Sequence, residues 1–371
     1  MREINISRKL VEERHRKGIG QEELASYIGV SKAAVSKWEN DQSYPDITLL
    51  PRLAAFFDIS VDELIGYEPQ MTREDIKELY RRLAGRFEKE SFDLVLEECE
   101  EIIKKYYSCY PLLLQMITLL LNHAGIAEEP GPVLHKALEI IERVEKGSDD
   151  ADERKTALTM RALCHLMLGH PEKVPEYIGE HVRPFSQDAE LLAEAYRAQG
   201  RVGEAEEILQ VCMYQHLLYL VGDAAVSIAG TSARDERIEE MIRRSVKLGE
   251  LFQMESLHWN AMIQLYMSAI VYYAVTENKE EGLAMLERYG RCCYSPRFSP
   301  ILHGDGYFNQ IDGWLKEELE LGIQAPRSEA MIKEAYLKGV TENPYLDRWR
   351  NEPRYRKVVE EMKKNLGGKT I

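Results

Sequence analysis

The chain has 371 residues, 44% of them hydrophobic and 30% charged, with a formal net charge of −15 at pH 7. That length supports a sizeable core and two or more domains, while the acidic balance sets most of the surface against nucleic acid and anionic membrane. Six cysteines at irregular spacing fit reduced thiols in a cytoplasmic protein better than a disulfide framework, and the opening MREINISRKL has no apolar signal-peptide core.

In chain order, residues 6–17 read as an amphipathic helix with Ile6, Leu10 and Val11 inward. QEELASYIGV (21–30) is a second short helix with Leu24, Ala25 and Ile28 inward, ended by Gly29 where a tight turn needs positive φ. Then comes SKAAVSKWENDQSYPD (31–46), in which Ser31 is a good N-cap. Lys32, Ala33, Ser36, Lys37 and Asn40 recur at spacings of three or four and share one side; Val35 and Trp38 share another. The second face can be buried, and nothing on the first calls for burial. Two helices joined by a short turn, the second showing cations, a hydroxyl and an amide outward, form a helix-turn-helix unit. ITLLPRLAAFFDIS and VDELIGY add two apolar helices, with Asp46 and Ser60 as N-caps.

The segment from Ile6 to Tyr67 resembles the Cro/C1 (XRE-type) helix-turn-helix domain of phage repressors and bacterial regulators. The matching residues are Gln21, Leu24, Ala25, Gly29, Val35, Trp38, Glu39, Pro45, Leu49, Leu50, Leu53, Ala54 and the terminal DELIG. The resemblance implies that the second motif helix enters the major groove. It makes Lys32, Ala33 and Lys37 base-facing and Gln21, Asn40 and Ser43 phosphate-contacting; Ser31 and Ser36 complete the candidate DNA-binding set. Lysine can donate to guanine O6/N7 and alanine can pack on a thymine methyl. Residues 1–68 nonetheless carry nine Lys/Arg against twelve Asp/Glu. Phosphate neutralisation dominates affinity, so a single head should bind weakly and two copies on one duplex are expected.

After the linker (68–72), helical periodicity predicts helices near 73–88, 91–107, 111–126, 131–146, 151–169, 172–180, 187–199, 202–219, 234–251, 255–276 and 278–290, with no alternating strand. YPLLLQMITLLL (110–121) is too short to span a bilayer and reads as a buried helix. DAELLAEAYRAQGRVGEAEEILQ (188–210) resembles a tetratricopeptide helix pair through Ala195, Tyr196, Gly200, Ala205 and Leu209. RALCHLMLGHPEKVPEYI and AIVYYAVTENKEEGLAMLERY are weaker copies, and NPYLDRWRNEPRYRKVVEEM resembles a closing segment. The expected fold is therefore all-α: a five-helix lambda-repressor-like domain (1–67), the linker, and a tetratricopeptide-like α-solenoid (73–371).

No HExxH, P-loop, GxSxG or dinucleotide fingerprint is present, so neither an enzyme, nor a metal, nor a cofactor is expected. Cys164, His165 and His170 do not share a helical face, and Cys292 and Cys293 read as buried thiols. The segment 292–310, rich in Pro, Gly and aromatics, breaks the helical rhythm and is either a ligand-contacting loop or a plain connection. Asn122, Asn260 and Asn309 are candidates to grip a bound peptide backbone. The architecture is similar to that of Rgg/PlcR-type regulators, which implies a dimeric, sequence-specific transcriptional regulator acting on double-stranded DNA, its helical domain pairing the heads and sensing an effector such as a peptide. The alternative is an interaction protein whose solenoid docks a partner protein and whose head locates it on DNA.

Overall fold

The computed structural model describes residues 5–67, 70–182, 184–294, 301–319 and 321–366. Residues 68 and 69 of the expected linker and residues 295–300 of the irregular segment lie outside the described residues. The five short helices of the head form where apolar residues recur three and four apart. They are α1 (Ile6–Arg16), α2 (Gln21–Ile28), α3 (Lys32–Glu39), α4 (Leu50–Phe57) and α5 (Val61–Ile65). Ser31 accepts a hydrogen bond from the Ala34 amide, and Ser60 with Glu63 closes a reciprocal capping box. Asp46 caps a short 3-10 turn, Ile47–Leu49, rather than α4 itself. That turn leads into α4, whose first turn takes Pro51 where an amide hydrogen has no helical partner. Gly29 ends α2 at φ 84°, the left-handed region that favours glycine. The head has its own core, including Leu10, Leu24, Val35, Trp38, Leu53 and Phe57; Val11, expected inward, is only half-buried.

The remainder is helical but is built around two cores. The first is made by α6 (Arg73–Phe87), α7 (Phe92–Lys105), α8 (Tyr110–His123), α9 (Pro130–Gly147) and α10 (Ala151–Met167), followed by the short α11 (Val174–Ile178). Thr72 caps α6, its side chain accepting from the Asp75 amide. Just before it, Gln70 Nε2 donates to the Ser108 carbonyl (3.2 Å) and the Met71 amide to Cys109 Sγ (3.5 Å), which ties this end of the linker to the start of α8. Leu112–Ile117, Leu119 and Leu120 are all buried, so α8 is enclosed on every side, as a helix apolar all round should be.

After α12 (Asp188–Ala198), the second core is made by α13 (Val202–Ala229), α14 (Glu236–Leu251), α15 (Met254–Leu257), α16 (Trp259–Val275), α17 (Lys279–Tyr294), α18 (Asp312–Glu317), α19 (Glu329–Thr341) and α20 (Pro353–Leu366). Its hydrophobic cluster begins at Val211, on α13, and runs to Leu366. Here α16 is the enclosed helix, packed against α13 and α17. The pair expected at 188–210 forms, with Ala193 and Ala205 buried and Gly200 in the turn at φ 80°. The second helix of that pair does not stop near 219 but continues to Ala229. The helix expected over 255–276 is broken at His258, whose side chain accepts from the Ala261 amide. The closing segment places Leu346 and Trp349 in the core, and a Cβ added at Gly282 would collide with the Trp349 ring.

The described part of the irregular segment is a clasp. Ile301 and Gln324 make an isolated antiparallel bridge, the Asp305 carboxylate accepts from the Tyr307 and Phe308 amides, and Phe308 is buried against Tyr214 and Phe252. Gln210 holds the segment twice, donating to Asn309 Oδ1 and accepting from the Gln310 amide, both at 3.0 Å. Further on, the chain reaches the first core. Lys77 Nζ donates to the Lys316 carbonyl (3.0 Å), Tyr80 Oη to that of Pro326 (3.2 Å), and Arg327 Nε to that of Asn122 (2.7 Å).

One described helix, α13, is long and apolar enough by length and composition to cross a membrane; 39% of its most apolar window is buried in the protein. Phe308→Ala is expected to destabilise the second unit by about 3–5 kcal/mol, the usual cost of emptying a buried phenyl site. Tyr345→Ala, at an exposed position, should shift it by less than about 0.5 kcal/mol. Urea unfolding midpoints of the two variants check the difference.

Candidate nucleic-acid interface

Three helices position the exposed face of α3. Val35 and Trp38 are buried in the head core, which fixes the rotation of α3 about its own axis. At its C-terminal end Glu39 forms the second anchor. Its carboxylate accepts from Arg14 Nε (2.6 Å) and Nη2 (3.0 Å), and from Gln21 Nε2 (2.9 Å), so α1, α2 and α3 meet at one acid. Arg14 also donates to the Ile19 carbonyl between α1 and α2. Burial works against ionisation of Glu39, but the bonds from Arg14 and Gln21 outweigh it and hold the carboxyl below its ordinary range.

With that side inward, Lys32, Ala33, Lys37, Asn40 and Ser43 are exposed and Ser36 is half-buried. Lys32 Nζ lies 3.4 Å from Glu22 in a pair where both side chains are largely solvated. Such a pair is worth little and yields readily to a phosphate or a base edge. Ser31 uses its oxygen as the N-cap acceptor, which leaves the hydroxyl hydrogen available to a ligand. Two residues assigned to phosphate are engaged within the protein. Gln21 donates to Glu39, and Asn40 Nδ2 donates to the Ser36 carbonyl at 2.8 Å. A contact by the same hydrogen would exchange a bond worth about 1 kcal/mol net. The sequence argument did not single out Tyr44, which is 61% exposed immediately after Ser43. Its phenol is a donor suited to a phosphate oxygen. It lies beyond the end of α3, outside the helical spacing that selected the other residues, so periodicity gave no signal for it.

The three asparagines proposed for a peptide lie on separate elements and carry internal bonds. Asn122 Nδ2 donates to the Thr118 carbonyl, Asn260 Oδ1 accepts from Tyr336 Oη, and Asn309 Oδ1 accepts from Gln210. The cavities described lie elsewhere: 620 Å³ between α19 and the end of α20, 560 Å³ between α7 and α9, 380 Å³ beside Arg288, and 360 Å³ between α6, α8, α10 and residues 317–319. His165 stacks on Tyr177 at 5.4 Å, and burial pushes the Cys292 thiol up to about 12, which keeps it protonated.

Residues 10–64 match the family model described as helix-turn-helix. The chain is 33% identical over 88 residues to the HTH-type transcriptional activator BcrR of Enterococcus faecalis, an overlap that covers 22% of this chain and 43% of that protein. It thus spans less than half the length of that relative. No solved structure matches the chain.

Glu39→Ala is expected to destabilise the head by about 1.5–3 kcal/mol at neutral pH, because it leaves the half-buried Arg14 without its acid. A carboxyl with a depressed folded pKa stabilises above its unfolded pKa and ceases to do so as pH falls through the folded value. The gap between variant and wild type should therefore close in acid, as read by thermal melts from pH 7 downward.

Proposed function

We propose that the protein is a cytoplasmic, sequence-specific transcriptional regulator that binds double-stranded DNA as a dimer and catalyses no reaction. The observation that carries this reading is the exposed face of α3, with Lys32, Ala33 and Lys37 outward while Val35 and Trp38 lock the opposite side into the head. The helix-turn-helix match over residues 10–64 and the likeness to a transcriptional activator support it. In this reading α3 lies in the major groove, Lys32 and Lys37 donate to base edges, Ala33 packs on a thymine methyl, and Ser31, Ser36, Ser43, Gln21 and Asn40 border the phosphates.

Dimerisation follows from charge. A head with more acids than bases gains little from phosphate neutralisation, and two heads on one duplex compensate. The remainder acts as a tetratricopeptide-like solenoid, supported by the α12/α13 pair and by α16 packed between α13 and α17. An effector such as a short peptide then alters DNA binding by preferring one arrangement of the two heads over another. If that peptide uses Asn122, Asn260 or Asn309, it must displace the bonds those amides already make.

The test is selection of bound fragments from genomic DNA, followed by competition between the selected site and unrelated duplex. Lys32→Ala combined with Lys37→Ala should reduce discrimination to near that of non-specific binding, a loss of roughly a hundredfold or more, with the helical circular dichroism unchanged. Discrimination equal to that of the wild type would refute the assigned reading face.

A further inference from the structure

The helix α13 differs from α8 and α16 in how its apolar surface is disposed. From Ile208 to Ala229 it holds a single ionisable acid, Asp223, and a single histidine, His216. One stripe, including Val211, Tyr214, Leu217, Val221, Ala224 and Ile228, is built into the second core. The opposite stripe stays in solvent. Tyr219 is 57% exposed, Leu220 59% and Val226 75%, with Met213 and His216 also outward, and Phe185 lies against the His216 and Tyr219 rings at 5.6 and 6.3 Å. A helix apolar on all sides calls for cover on all sides. A bilayer cannot supply it, because α13 could enter one only by withdrawing its inner stripe from the core.

We propose that a second copy of this chain covers the stripe, with α13 packed antiparallel on α13 of the partner about a two-fold axis between positions 219 and 220. The outward residues follow a spacing of three and four, 213, 216, 219/220, 223 and 226. Reversal about that axis sets Met213 opposite Val226, Tyr219 opposite Leu220, and His216 opposite Asp223, each pair occurring twice, as an isologous contact demands. The stripe is thus self-complementary in both shape class and hydrogen bonding, an imidazole facing a carboxylate. With Phe185 it exposes on the order of 600 Å² of apolar side chain, most of the roughly 800 Å² one partner gives to a stable interface. It is also the place where two chains of charge −15 can meet with little repulsion. This assignment rests on the dimeric reading above and gives it a location.

The experiment is sedimentation velocity on the full-length chain without DNA. The wild type should run at twice the 42.8 kDa of one chain, and Leu220→Glu should run as a monomer. His216→Asp alone and Asp223→His alone, both at exposed positions that the fold does not need, should each weaken dimerisation about tenfold or more. The two exchanged together should return to within about threefold of wild type, since an imidazole and a carboxylate then face each other again. Ile126→Glu, on the first unit, should leave the dimer unchanged. A monomeric wild type, a wild type that partitions into phospholipid vesicles, a dimeric Leu220→Glu, or a double exchange as weak as the singles would each overturn the seam. Because no DNA is present, these outcomes are independent of the Lys32 and Lys37 test, which a monomer on a single half-site can still pass.

Discussion

A single carboxylate, Glu39, governs the geometry of the head. It is the last residue of the helix that presents the exposed lysines, and it is grasped from α1 by Arg14 and from α2 by Gln21. Burial of Val35 and Trp38 fixes how α3 rotates about its axis, but two buried residues in eight leave its tilt loosely defined. The charge-assisted bonds at Glu39 supply the missing restraint, since a bidentate guanidinium contact is directional where apolar packing is not. The same acid explains why the head is more acidic than a nucleic-acid-binding domain need be. Some of its carboxylates are internal fasteners, and Glu39 is turned away from the exposed face.

Behind the head, the described residues gather into two hydrophobic clusters. Each surrounds one largely buried helix, α8 in the first and α16 in the second. The clasp of residues 301–327 belongs to both. Phe308, Ile311 and Leu315 lie in the second core, while Leu321 packs on the first and Pro326 and Arg327 bond to it. Residues far apart in sequence therefore set how the two bodies sit together, and the short helices between them carry little of that load. α11 has no fully buried residue and α12 only Ala193.

Much of the head was legible because its signals are local. Ser31, Ser60 and Thr72 cap through bonds made within three residues, and Gly29 ends its helix through its own φ. The apolar spacing of α6 to α10 placed those helices within a few residues. The misreadings came from long-range causes. Gly222 looks like a place where α13 could stop, but buried Val221, Ala224 and Ala225 on either side hold the helix through it. The irregular segment offers no periodicity, and its place is decided by Gln210 a hundred residues earlier. Gln21 and Asn40 have the side chains that phosphate contacts need; nothing in their spacing shows that Glu39 and the Ser36 carbonyl already use them.

The tie of Gln70 and Met71 to the first turn of α8 bears on how the protein can read DNA at a distance. From Tyr67 to Gln70 the chain has three peptide links, a leash of at most about 11 Å. A head so closely tethered stays within a short reach of the first core. In the dimer proposed above, the gap between two such heads is set mainly by the bodies that carry them, so the number of base pairs between half-sites becomes a property of the helical scaffold rather than of α3.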